Sequence, residues 1–140
     1  MHRIVTALSL LLAVGAVVAV AEVRAADKDT AKAAATRKKL KQKVTVNWKD
    51  TRLADIVEDI KEMVPGVSVR LDNKGGVSNN RKVTYAAKDK PLEEVLNELC
   101  AKEGLGWYVI SKEKDAYDGT IWLKIGKERG YPEGQEPGKK

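Results

Sequence analysis

Apolar and polar residues alternate from Val44 through Val46 to Trp48, with Thr45 and Asn47 between them, the period of a half-buried strand. The spacing then lengthens. Leu53, Ile56, Val57, Ile60, Met63 and Val64 recur at helical intervals, with Asp50 and Thr51 as expected N-caps and Pro65-Gly66 as the stop. Val67, Val69 and Leu71 restore the strand period, and the polar run from Asp72 to Arg81 reads as a loop. Val83 and Tyr85 open a third strand. Pro91 stands where a first helical residue tolerates it, and Leu92, Val95, Leu96, Leu99 and Cys100 form a second apolar stripe ended by Gly104. Leu105 to Ser111 and Thr120 to Ile125 read as two further strands, a hairpin joined by the charged loop from Lys112 to Gly119.

The two halves of this pattern match at an offset of 39 positions: Val44 with Val83, Asp50 with Asp89, Leu53 with Leu92, Ile56 with Val95 and Ile60 with Leu99. Each half is a strand, a helix and a strand, and neither alone buries its helix, so the expected fold is one α+β domain over residues 44–126.

The flanks read differently. His2 and Arg3 precede an apolar run from Ile4 to Ala21 and a set of small residues, the layout of a secretory signal over residues 1–26, with cleavage after Ala21, Ala25 or Ala26. An uncleaved membrane anchor is the alternative, and only then is membrane contact expected. Residues 27–43, rich in Ala, Lys and Thr, read as a flexible basic tether whose removal leaves the domain folded, and residues 127–140 as a disordered tail.

The segments VTVNWKDTRLADIVEDI, KVTYAAKDKPLEEVLNELCAKEGLGWYVI and GTIWLKI, in that order, resemble the secretin and TonB short N-terminal domain family over residues 44–126. The resemblance implies two helices between a mixed three-stranded sheet and a two-stranded hairpin. It further implies a periplasmic position, contacts with other envelope proteins and no catalytic residues.

Charge refines the picture. The chain carries a formal net charge of +6, but residues 27–43 hold seven basic side chains against two acidic, while residues 44–140 hold 17 of each. The tether residues Arg37, Lys38, Lys39, Lys41 and Lys43 are the candidate contact for an anionic surface or polyanion, and no nucleic acid partner is expected of the neutral domain. His2 is the single histidine and Cys100 the single cysteine, so the mature chain holds no Ser-His or Cys-His pair, zinc set or internal disulfide, and no cofactor is expected. Asp55, Glu58, Asp59, Glu62, Glu93, Glu94 and Glu98 occupy polar helical positions and read as solvated surface. The Asp72–Gly76 loop fits neither a P-loop nor an EF-hand spacing.

These observations favour an exported, non-enzymatic interaction module whose partner is an envelope protein or a second copy. Alternation in the last two strands puts Tyr108, Ile110 and Trp122 on the face away from the helices, where they form the expected partner-binding patch.

Overall fold

The computed structural model describes residues 29–135. The signal segment, the first two tether residues and the last five tail residues lie outside them. The chain is α+β. Helix α1 (Ala31–Lys39) precedes β1 (Lys43–Arg52), α2 (Leu53–Met63), β2 (Val69–Leu71), β3 (Lys82–Pro91), α3 (Leu92–Glu103), β4 (Leu105–Val109), β5 (Ile121–Ile125) and β6 (Arg129–Gly130). Strands β1 and β3 form an antiparallel ribbon, and β2, β5, β4 and β6 form a second, mixed sheet in that order. The two-stranded unit is therefore not a sequence-local hairpin, because α2 and β2 separate its strands. The β4–β5 hairpin belongs to the mixed sheet, which has a fourth strand where the family resemblance implies three.

Helices α2 and α3 lie between the layers: α2 touches β1 and β2, and α3 touches β3 and β4. Leu53, Ile56, Ile60, Leu92, Leu96 and Leu99 meet Val46, Trp48 and Val83 of the ribbon and Leu105, Val109 and Ile121 of the sheet in a single buried core. Trp48 stays buried because its indole Nε1–H donates to Asp59 Oδ2 at 2.9 Å, and the Tyr85 hydroxyl donates to Glu98 Oε1 at 2.7 Å. Asp59 and Glu98 occupy equivalent positions of the two halves.

The sequence offset becomes a pseudo-two-fold in the ribbon. Lys43 pairs with Pro91 and Lys82 with Arg52, Val46 with Ala87 and Tyr85 with Trp48, around a central Asn47–Ala86 pair. On each strand a Lys-Asp bulge places an aspartate at positive φ, 48° at Asp50 and 53° at Asp89. Asp tolerates that region better than branched residues do. Each bulge N–H is held by the partner strand: Asp50 N donates to Thr84 Oγ1 at 2.9 Å and Asp89 N to Thr45 Oγ1 at 3.0 Å.

This crossing corrects the expected N-caps. Asp50 and Thr51 belong to β1, and α2 starts after Arg52 without a side-chain cap, while Pro91 is the N-cap of α3 rather than its first residue. The first helical N–H groups instead reach backbone carbonyls of the other half. Leu53 N donates to Arg81 O and Ala54 N to Asn79 O, while Leu92 N donates to Gln42 O and Glu93 N to Leu40 O. Here too the acceptors are 39 positions apart.

The flexible tether is a second correction. Thr30 Oγ1 accepts from Ala33 N and caps α1, whose Ala33, Thr36 and Leu40 are buried. Thr36 Oγ1 donates to Gly119 O at 2.6 Å. Gly119 lets the helix approach, since a Cβ there would sit 2.9 Å from Lys32 Cβ and 3.1 Å from its backbone. The tail is the third correction: β6 pairs in parallel with β4, and Trp107 N donates to Glu128 O. Small inward residues explain the first miss, and a strand of two residues explains the second.

Because α1 is packed, deleting residues 27–43 removes Leu40, the α1 cap and two carbonyl acceptors of α3, and is expected to unfold the domain. Leu40→Ala, like Leu53→Ala or Leu96→Ala, is expected to cost about 2–5 kcal/mol in urea denaturation. A variant lacking residues 27–43 with an unchanged melting curve would refute the packing of α1.

Candidate functional site

Strands β4 and β5 turn alternate side chains to opposite faces of the mixed sheet. Leu105, Trp107, Val109, Ile121 and Leu123 go to the core, leaving Tyr108 and Trp122, paired across the ladder, on the outer face. They are half-buried rather than openly exposed, because segments from both ends of the chain build walls around them. The result is a groove of about 730 Å³. Tyr108, Ile110 and Trp122 line it together, as the alternation predicts, with Tyr117 from the β4–β5 loop and Tyr131 and Pro132 from the segment after β6. Four of the chain's seven aromatic residues thus converge on one concavity.

Two arginines brace the aromatic walls. The Arg37 guanidinium lies 3.8 Å from the Tyr131 ring centre, pairs through Nε with Asp29 Oδ2 at 2.6 Å and donates through Nη1 to Gly130 O at 2.9 Å. Arg70, on β2, lies 4.6 Å from the centre of Tyr117. The loop carrying Tyr117 is tied down by its own carboxylates: Asp115 Oδ1 accepts from Tyr117 N, and Asp118 Oδ1 accepts from Lys112 N and the Thr30 hydroxyl. Thr30 N in turn donates to Ser111 Oγ at 2.9 Å, joining the start of α1 to the loop that follows β4.

The groove keeps hydrogen-bond donors available. Trp48 and Trp107 donate their indole N–H groups to Asp59 and Asn97, whereas Trp122 Nε1 and the hydroxyls of Tyr108, Tyr117 and Tyr131 have no partner among the described residues. Burial pushes the Tyr108 phenol above its ordinary range, which keeps it a neutral donor.

The remaining sequence candidates disperse. Arg37 belongs to the groove, Lys38 and Lys39 end α1, Lys41 pairs with Glu93 at 2.8 Å and Lys43 begins β1. Cys100 is fully buried on α3, and that burial pushes its thiol up to about 12. Among the described residues no group of three or more His, Cys, Asp or Glu side chains is arranged to hold a metal ion, and no helix is long and apolar enough to cross a membrane. Sequence reasoning missed Asp29, Arg37, Tyr117 and Tyr131 as groove residues, since they lie in stretches without strand or helix periodicity, brought together only by the tertiary fold.

No protein-family model, curated protein or solved structure matches the chain.

Replacing Arg37 with Leu is expected to release the Glu128–Gln135 segment, seen as faster hydrogen exchange there, at a cost of about 1–3 kcal/mol for a lost charged hydrogen-bond centre. For Cys100, a thiol reagent at pH 8 is expected to react only after denaturation. Its folded pKa lies above the unfolded value, so the contribution to stability is full below about 9 and is lost as pH rises towards about 12. Cys100→Ala should flatten that alkaline decline.

Proposed function

We propose that this chain is a non-enzymatic protein-interaction module of the cell envelope, which receives an extended, proline-bearing peptide segment of a partner protein in the aromatic groove. The observation that carries the reading is the set of rings around one concavity: Tyr108, Tyr117, Trp122 and Tyr131 offer flat apolar faces, and their N–H and O–H tips have no protein acceptor among the described residues. A polyproline-type strand presents both complements at once, ring faces for stacking and backbone carbonyls with no internal hydrogen bonds. The braced walls favour binding further, since little ordering is required of the protein when the ligand enters.

The envelope assignment rests on the signal-like N-terminus and on the resemblance to the secretin and TonB short N-terminal domains. The reading as a binder rather than an enzyme rests on the groove's lining. Its titratable groups among the described residues are Asp29 and Arg37, paired with each other, together with tyrosines, Lys112 and Asp115, with no histidine or thiol among them. A concave site favours a segment inserted from a partner over a second copy.

The test uses a fluorescent polyproline peptide of about ten residues and the intrinsic tryptophan signal of the full chain. Binding is expected for the native protein, and Trp122→Ser is expected to weaken it by about 30-fold or more, as for an aromatic hot spot. Tyr117→Ser, at a ring 44% exposed, provides a second variant with little risk to folding. Unchanged binding in both folded variants, or none to the native chain, would overturn the reading.

A further inference from the structure

The outer face of the β1–β3 ribbon lies on the other side of the helices from the groove, and its composition is unusual for this chain. Four residues of each strand point away from the core: Lys43, Thr45, Asn47 and Lys49 on β1, and Lys82, Thr84, Ala86 and Lys88 on β3. All eight are exposed, four are lysines and none is acidic or a large apolar residue. The pseudo-two-fold distributes the charge. Lys49 and Lys82 stand at one end of the ribbon and Lys43 and Lys88 at the other, about 20 Å apart at the usual rise per strand residue.

Two acidic groups share the exposed side of the ribbon with these lysines. Asp50 and Asp89, the only carboxylates of the two strands, are exposed at the bulges directly after Lys49 and Lys88, so the four outward lysines outnumber the two aspartates. Asp50 pairs with Lys82 at 3.8 Å. Glu98 pairs with Lys90 and Asp55 with Arg52, at the margins of the ribbon. Lys43, Lys49 and Lys88 have no ion-pair partner among the described residues. Between the lysine pairs stand only the short side chains of Thr45, Asn47, Thr84 and Ala86.

We infer that this ribbon face is an electrostatic docking surface for an anionic phospholipid bilayer, held by Lys43, Lys49, Lys82 and Lys88. A bilayer fits better than duplex nucleic acid on two counts. No long side chain stands between the lysine pairs to hold a planar surface off, and four lysines are fewer than the number of phosphate contacts on which nucleic acid affinity generally rests. A peripheral attachment of this kind places the aromatic groove outward from the bilayer, towards a protein partner.

The experiment is vesicle co-sedimentation of the full chain with neutral phosphatidylcholine vesicles and with vesicles containing about 30% phosphatidylglycerol. Binding is expected to be stronger to the anionic vesicles and to decline as salt rises from about 0.1 to 0.5 M. Lys49→Gln combined with Lys88→Gln is expected to reduce that anionic preference by about 30-fold (about 2 kcal/mol), with an unchanged melting temperature. The apolar N-terminal segment is identical in both chains, so its contribution cancels in the comparison. If that pair impairs folding, Lys43→Gln with Lys82→Gln makes the same test. Equal binding to neutral and anionic vesicles would overturn the inference, as would an equal loss from Lys38→Gln with Lys39→Gln on α1. Retention by duplex DNA at a salt concentration that abolishes vesicle binding would reassign the face to nucleic acid.

Discussion

The ladder between β1 and β3 is the constraint on which the other elements depend, because it makes each half of the chain complete the other. A helix start exposes N–H groups that need acceptors, and neither α2 nor α3 has a side chain at its N-cap to supply one. The acceptors come from the segment leading into the opposite strand, Asn79 and Arg81 for α2 and Leu40 and Gln42 for α3. Pairing the strands therefore caps the helices, and docking the helices fixes the register of the strands. The bulges follow the same logic, with Thr45 and Thr84 each holding the Asp N–H of the other strand. An isolated half would lose its strand partner, its caps and half of its core together.

This reciprocity also explains which parts of the fold are legible in the sequence. Strand and helix periodicity from Val44 to Leu123 depends on large aliphatic residues facing a common core, and positions such as Val46, Leu53, Leu99 and Ile121 are buried as it implies, whereas Ile125 at the end of β5 is 50% exposed. Caps supplied by backbone carbonyls leave no residue-type signature, so Asp50 and Thr51 suggested a helix start that the chain does not use. Helix α1 hides for a related reason: its buried side chains are Ala33 and Thr36, too small or too polar to register as an apolar stripe. In β6 two residues suffice because Gly106 of β4 allows close passage, a Cβ there lying 2.5 Å from Glu128 Oε1 and 2.7 Å from Glu128 N.

The candidate site was half legible on the same grounds. Tyr108, Ile110 and Trp122 belong to alternating strands, so parity alone assigns them to the outer face. The walls come from an N-terminal helix and a C-terminal segment, and Arg37 joins them by bonding Gly130 O while lying over Tyr131. Such a junction depends on the ends of the described chain meeting over β4, a consequence of sheet order β2-β5-β4-β6 that periodicity does not contain.

Charge shows the same division between what composition states and what folding decides. Residues 44–140 balance 17 basic against 17 acidic side chains, which by itself argues against any anionic partner. Strand parity and helix polarity then divide the signs unevenly: carboxylates populate the exposed sides of α2 and α3, while on the exposed side of the ribbon four lysines outnumber Asp50 and Asp89. A neutral total is thus compatible with a face carrying an excess of one sign, since attraction at a surface depends on the charges within about a Debye length, roughly 10 Å at moderate salt. The tether residues had suggested a basic contact through sequence proximity, but folding commits Arg37 to Asp29 and Lys41 to Glu93. The β1–β3 ladder, which also caps the helices, instead gathers Lys43 and Lys49 of one strand with Lys82 and Lys88 of the other.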